Sequence, residues 1–129
     1  MAISKGDTLP EATLVELTGE GPKQVSLASR LKGRNVVIFA LPGAFTPTCS
    51  AKHLPGYVQQ ANAIRGKGVD SIACISVNDA FVMNAWGKAQ GIEKIKLIPD
   101  GSGEFTRKMG MLVSKDNLGF GLRSCRYGA

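Results

Sequence analysis

The chain has 129 residues, 43% hydrophobic and 20% charged, with a net charge of +6. That is one domain's length, with enough apolar residues for a core, and sixteen glycines and six prolines fall in no collagen-like or low-complexity pattern. The longest apolar run, 36–41, is far short of the roughly 20 residues of a membrane helix.

Residues 12–17 read as a first short strand, and 26–31 as a helical turn closed by Gly33. Residues 35–41 form an unbroken Val/Ile/Phe run, the pattern of a strand buried on both faces of a parallel sheet. Pro42 and Gly43 end it. A helix is expected from Thr46 to Arg65, with Leu54, Tyr57, Val58, Ala61 and Ile64 on its apolar face, stopped by Gly66 and Gly68. Residues 69–77 form a second buried strand. Residues 79–90 form a helix with Phe81, Val82, Ala85 and Trp86 on one side. A strand over 94–98 and a helix over 103–109 follow. Strand and helix alternate, so the class is α/β with a mostly parallel sheet, in one domain spanning 1–129.

Charge and cysteine content narrow the function further. Basic residues are spread over both halves and not interleaved with aromatics, so no nucleic-acid partner is expected. Lys94 and Lys96 alternate with Ile95 and Leu97, as on the solvent face of a strand. Residues 1–7 lack the apolar run of a secretory signal and the Arg-rich face of a transit peptide, so a soluble cytoplasmic protein is expected, away from membranes. Three cysteines, Cys49, Cys74 and Cys125, with no CxxC and no zinc-ligand spacing, argue against a disulfide scaffold or metal site.

Chemistry concentrates in the segment after the first buried strand. With Thr46 as N-cap and Pro47 at the first helical position, Cys49 falls in the first turn. Unpaired N–H groups and the positive dipole end there favour thiolate over thiol. The alternative is a cysteine that only packs, since free cysteines are among the most buried residues. Thr46-x-x-Cys49 has the shape of a thioredoxin CxxC whose first thiol is a hydroxyl. One nucleophile beside a group able to accept from the thiol and donate to a substrate oxygen suits attack on an O–O bond, giving a sulfenic acid. His53 shares the Cys49 helix face and reads as a supporting hydrogen-bonder rather than a catalytic base, because no orienting Asn or Asp is apparent. Trp86, Met83, Met109 and Met111 read as packing residues.

Pro42-Gly43-Ala44-Phe45-Thr46-Pro47-Thr48-Cys49-Ser50 resembles the active-site motif of the peroxiredoxins. The segments 52–57, 74–82 and 122–127 make the whole chain similar to the type II, peroxiredoxin-five-like class, in which the second cysteine lies within the same chain. The resemblance implies a thioredoxin-like fold, its sheet flanked by helices, and thiol-dependent reduction of hydrogen peroxide and alkyl hydroperoxides without cofactor, metal or haem. It implies that Cys49 is the peroxidatic cysteine, that Thr46 binds the peroxide and that Pro42 shields the site from water. It gives Arg126 the part of the arginine that stabilises the thiolate and holds the peroxide oxygens. Cys74 matches the resolving cysteine, against the plainer reading of a core thiol. Thioredoxin, or glutaredoxin with glutathione, would be the reductant, and a homodimer is the expected assembly. Cys125 stands where relatives carry a bulky or basic residue, as an inert neighbour or a rival partner for Cys49. Family members continue past the Tyr127 position into further strands and a closing helix, so a C-terminally truncated fold with a bare sheet edge is expected. A catalytically weak variant serving as a redox-signalling or binding module, and a thiol-disulfide exchanger using Cys49 and Cys74, are the competing functions.

Overall fold

A computed structural model describes residues 5–31, 33–46, 54–91 and 95–128. Its elements are strands β1 (Thr13–Thr18) and β2 (Gly21–Ser26), helix α1 (Leu27–Leu31), β3 (Val36–Ala40), α2 (Leu54–Arg65), β4 (Ser71–Ser76), α3 (Ala80–Gln90), β5 (Lys96–Pro99), α4 (Glu104–Lys108), β6 (Leu112–Ser114), β7 (Leu122–Ser124) and β8 (Tyr127–Gly128). The central sheet runs β5-β4-β3-β8, with β3, β4 and β5 parallel and β8 antiparallel. This is the mostly parallel, helix-flanked thioredoxin-like sheet expected from the sequence.

Both faces of β3 and β4 are covered, which explains their unbroken apolar runs. Alternation along the strands sends Phe39, Ile72 and Cys74 into one core cluster, with Leu54 and Ala61 of α2 and Met83 and Trp86 of α3. Ile38, Ala40, Ala73 and Ile75 enter the other, with Leu14 of β1, Leu27 of α1, and Phe105 and Met109 beside them. Tyr57 of α2 stacks on Phe39 of β3, ring centroids 3.8 Å apart. Asp79 caps α3 by accepting from the Val82 amide at 2.8 Å, and Gly91 ends it in the left-handed conformation, φ 64°.

Several expectations change. Strand and helix do not alternate throughout: β1–β2 and β6–β7 are separate antiparallel hairpins. β2 carries Gly21, Pro22 and mostly exposed polar positions, and β6 and β7 have three residues each, too short for a period to show. Val58 of α2 and Phe81 and Ala85 of α3 lie on the surface, whereas Trp86 and Met83 are buried as expected, together with Ala80. The edge of β3 is not bare, since β8 pairs with it at Phe39 and Ala40. Met83 and Met109 are buried, Met111 is packed at the margin of the core, and Lys96 faces solvent as expected. Lys94 lies outside the described residues. Among the described residues no helix is long and apolar enough to cross a membrane.

Carboxylates tie the outer elements down. Glu11 accepts from the Ala12 and Ala28 amides and the Ser26 hydroxyl, joining the start of β1 to the first turn of α1. These bonds, the Ala28 amide foremost, hold its carboxyl below the ordinary range. Asp100, 2% exposed, accepts from the Phe105 amide, the Thr106 amide and the Thr106 hydroxyl, and so fixes α4 at the end of β5. Removing it leaves three buried donors unpaired, at about 1–3 kcal/mol each before relaxation. Asp100→Ala is therefore expected to lose about 2–4 kcal/mol in urea denaturation. Asp100→Asn, which keeps one acceptor oxygen, should lose less.

Candidate active site

The chain leaves β3 at its C-terminal end, where open α/β sheets place their sites. Leu41 still donates to Ile75 O at 3.4 Å, and Pro42, Gly43 and Ala44 are buried. Phe45 then takes a positive φ of 60° with its side chain 55% exposed. A bulky residue rarely adopts that conformation, which costs of order 1–3 kcal/mol unless its surroundings impose it.

Hydrogen bonds to the residues on either side of Phe45 hold the turn here. The Ala44 amide donates to Asn78 Oδ1 at 3.0 Å, and the same oxygen accepts from the Ser76 hydroxyl. The Thr46 hydroxyl donates to Gly43 O at 2.7 Å. From the second hairpin, Arg123 Nη1 donates to Pro42 O at 3.4 Å. The turn is thus held from the β4–α3 loop, from within, and from β7.

The Thr46 bond corrects one expectation. A carbonyl oxygen has no proton to give, so the hydroxyl proton is committed to Gly43 and the Thr46 oxygen is left with only its lone pairs to offer. While this bond is made, the hydroxyl can accept from another group but has no second proton to donate to a substrate oxygen. Its side chain bonds backward to Gly43, and the described part of the following helix begins at Leu54.

Cys49 and His53 lie outside the described residues, as do Pro47 and Thr48. Pro42 is buried at the base of the turn. Cys74 is in no disulfide and is 0% exposed, on the face of β4 that packs beneath α2 and α3. Cys125 is a free, half-buried thiol whose amide donates to Met111 O. Arg126 is exposed between β7 and β8. Because Tyr127 pairs with Ala40, the antiparallel register brings Arg126 level with Leu41, one residue before the turn. Burial, with the Asp100 carboxylate and Cys74 adding to it, holds the Tyr127 hydroxyl far above its usual pKa, so it stays neutral. No group of three or more potential metal ligands occurs among the described residues.

Two residues that shape the turn, Asn78 and Arg123, stand in the segments that carry the resemblance but had no role assigned from the sequence. Asn78, directly before the N-cap Asp79, carried a signal, because Asn in a loop commonly bonds nearby backbone. Arg123 carried none, since its partner is 81 positions away.

The chain matches the Redoxin family over residues 4–128. It is 44% identical over 127 residues to peroxiredoxin-2B of Arabidopsis thaliana, covering 97% of this chain and 78% of that one. It belongs to the peroxiredoxins. A peroxiredoxin of Rhizobium etli is 66% identical over 97 residues, covering 75% of this chain and 54% of that protein. The chain spans about half the length of several curated relatives it matches. Among solved structures, reduced Prx3 from Vibrio vulnificus in complex with H2O2 superposes with a TM-score of 0.92 at 51% identity, covering 98% of this chain and 79% of that one. Peroxiredoxin 5 from Alvinella pompejana gives 0.87 at 34%, covering 98% and 80%.

In this peroxiredoxin the turn's geometry hangs on Asn78. Asn78→Ala unpairs the Ala44 amide and is expected to cost about 1–3 kcal/mol of stability. Asn78→Asp keeps an acceptor for both donors and should retain most of that stability. Urea denaturation of the two variants checks the difference.

Proposed function

We propose that the chain reduces hydrogen peroxide and alkyl hydroperoxides with Cys49 as nucleophile. The observation that carries this reading is the Thr46 hydroxyl, which donates its proton to Gly43 O and so acts toward any other group as an acceptor. Hydrogen peroxide and alkyl hydroperoxides alike carry an O–H on the oxygen under attack, and an acceptor beside Cys49 holds that proton. The Cys49 thiolate attacks that oxygen, the O–O bond breaks, and the departing alkoxide or hydroxide takes up a proton. Cys49 becomes a sulfenic acid, and the peroxide leaves as alcohol or water. Arg126, level with Leu41, is the cation that stabilises the thiolate and the charge growing on the leaving oxygen. Pro42, buried beneath the turn, keeps water out. A binding module without turnover has no need of a hydroxyl locked in this sense.

The second step in this proposal is attack by the Cys74 thiol on the sulfenic sulfur, giving a Cys49–Cys74 disulfide and water. An external dithiol, thioredoxin or glutaredoxin with glutathione, then restores both thiols. Cys74 is buried under α2, so this step needs local opening of the packing around Leu54. Homodimerisation and a cytoplasmic, thiol-reducing setting complete the proposal, with light scattering the measure of the first.

Reduced protein given one equivalent of hydrogen peroxide should lose the Cys49 thiol first, followed by mass spectrometry, while Cys49→Ser stays unreacted. Cys49 should titrate below the ordinary thiol value of about 8.5, and Arg126→Ala should move it upward and slow the reaction. Slow, unselective oxidation of all three cysteines would overturn the peroxidase reading.

Peptide mapping after oxidation should find Cys49 joined to Cys74, and Cys74→Ser should leave a persistent sulfenic acid. A dominant Cys49–Cys125 link would instead make Cys125 the resolving thiol.

A further inference from the structure

Arg123 is bound from two sides. Its Nε donates to Phe120 O at 3.0 Å, and the guanidinium lies 5.4 Å from the centre of the Phe120 ring. Nη1 reaches across to Pro42 O at 3.4 Å. β7 itself is held by pairing with β6, where Val113 faces Arg123. The planar fork is therefore fixed at its root before it touches the turn.

Gly43 records the same approach. A Cβ built there would stand 2.8 Å from Nη1 of Arg123 and 3.2 Å from Cγ2 of Thr46. Gly43 has no positive φ, so the residue is small because the guanidinium occupies the place of a side chain.

We propose that Arg123 is a positioning residue for the reaction at Cys49, acting through Thr46. The guanidinium holds Pro42 O and lies against Gly43, so it fixes the orientation of the Pro42–Gly43 peptide. The next carbonyl, Gly43 O, takes the Thr46 proton and thereby sets which way the Thr46 lone pairs point. Without the strap the Gly43–Ala44 peptide is held only by the Ala44 bond to Asn78, and the hydroxyl's acceptor is less firmly placed. The inference rests on the peroxidase reading of Cys49 and Thr46.

The test separates peroxide attack, which uses Thr46, from simple alkylation, which needs only an accessible thiolate. Rates with hydrogen peroxide and with iodoacetamide are measured at Cys49 across pH for the wild type, Arg123→Ala, Arg123→Lys and Gly43→Ala. Arg123→Ala is expected to slow peroxide attack about 10- to 100-fold at every pH, while alkylation stays within about twofold. Arg123→Lys, which keeps the charge but not the fork, should fall between. Gly43→Ala leaves Arg123 in the chain but displaces its guanidinium, and should match Arg123→Ala even if that variant folds poorly. Adding Thr46→Val to Arg123→Ala should cost little more than Thr46→Val alone. A peroxide rate unchanged in both Arg123→Ala and Gly43→Ala overturns the inference, as does a parallel fall in alkylation. A wild type inert toward peroxide overturns the peroxidase reading itself, and this inference with it.

Discussion

Burial of β3 and β4 on both faces is the constraint from which the rest of the architecture follows. A strand with an exposed face can end in many ways. One covered by helices on one side and by β1, α1 and α4 on the other must deliver its C-terminal end to one place. That place is the Pro42–Thr46 turn. Phe39 and Ile38 anchor the strand in opposite cores, and Tyr57 stacked on Phe39 seats α2 against the same strand. The site is precise because the framework beneath it has little freedom to shift.

The parallel core was legible in the sequence because its signals are local. Runs such as 36–40 and 71–76 state by themselves that no face is solvated, and Asp79 and Gly91 bracket α3. The hairpins were not legible. β2 is an edge strand of exposed polar residues, and β6 and β7 earn their pairing from contact with each other rather than from composition. The misread faces have a related cause. The apolar side chains of Phe81 and Val58 matched a helical period but fall at the margin of the buried stripe, where the period cannot say which neighbour is present.

At the site, residue types were readable and directions were not. Thr46 was identifiable as a hydroxyl beside a nucleophile, yet whether it donates or accepts depends on a carbonyl three residues back and on a backbone turn through Phe45 at positive φ. Cys74 shows the opposite limit. Its place in a core strand was plain from Ile72 to Ile75, and the structure buries it completely, so the plain reading and the resolving reading describe the same position. They differ in how readily the packing above Cys74 opens, a property of the ensemble rather than of the residue.

The segment from β7 to β8 joins these observations. Arg123 and Arg126 are three residues apart, and both are delivered to the end of β3 by pairing: Arg123 through the β6–β7 ladder and Arg126 through Tyr127 opposite Ala40. Two guanidinium groups would repel each other if free, so bringing both to one turn is favourable only where each has its own acceptors. Arg123 has Phe120 O and Pro42 O. Its charge is thereby tied to backbone. A short antiparallel strand on a parallel sheet thus does more than cover an edge. At its start it sets Arg126 level with Leu41, while β7 before it brings Arg123 to Pro42 O, from a stretch of chain whose sequence shows only two basic residues with a serine and a cysteine between them.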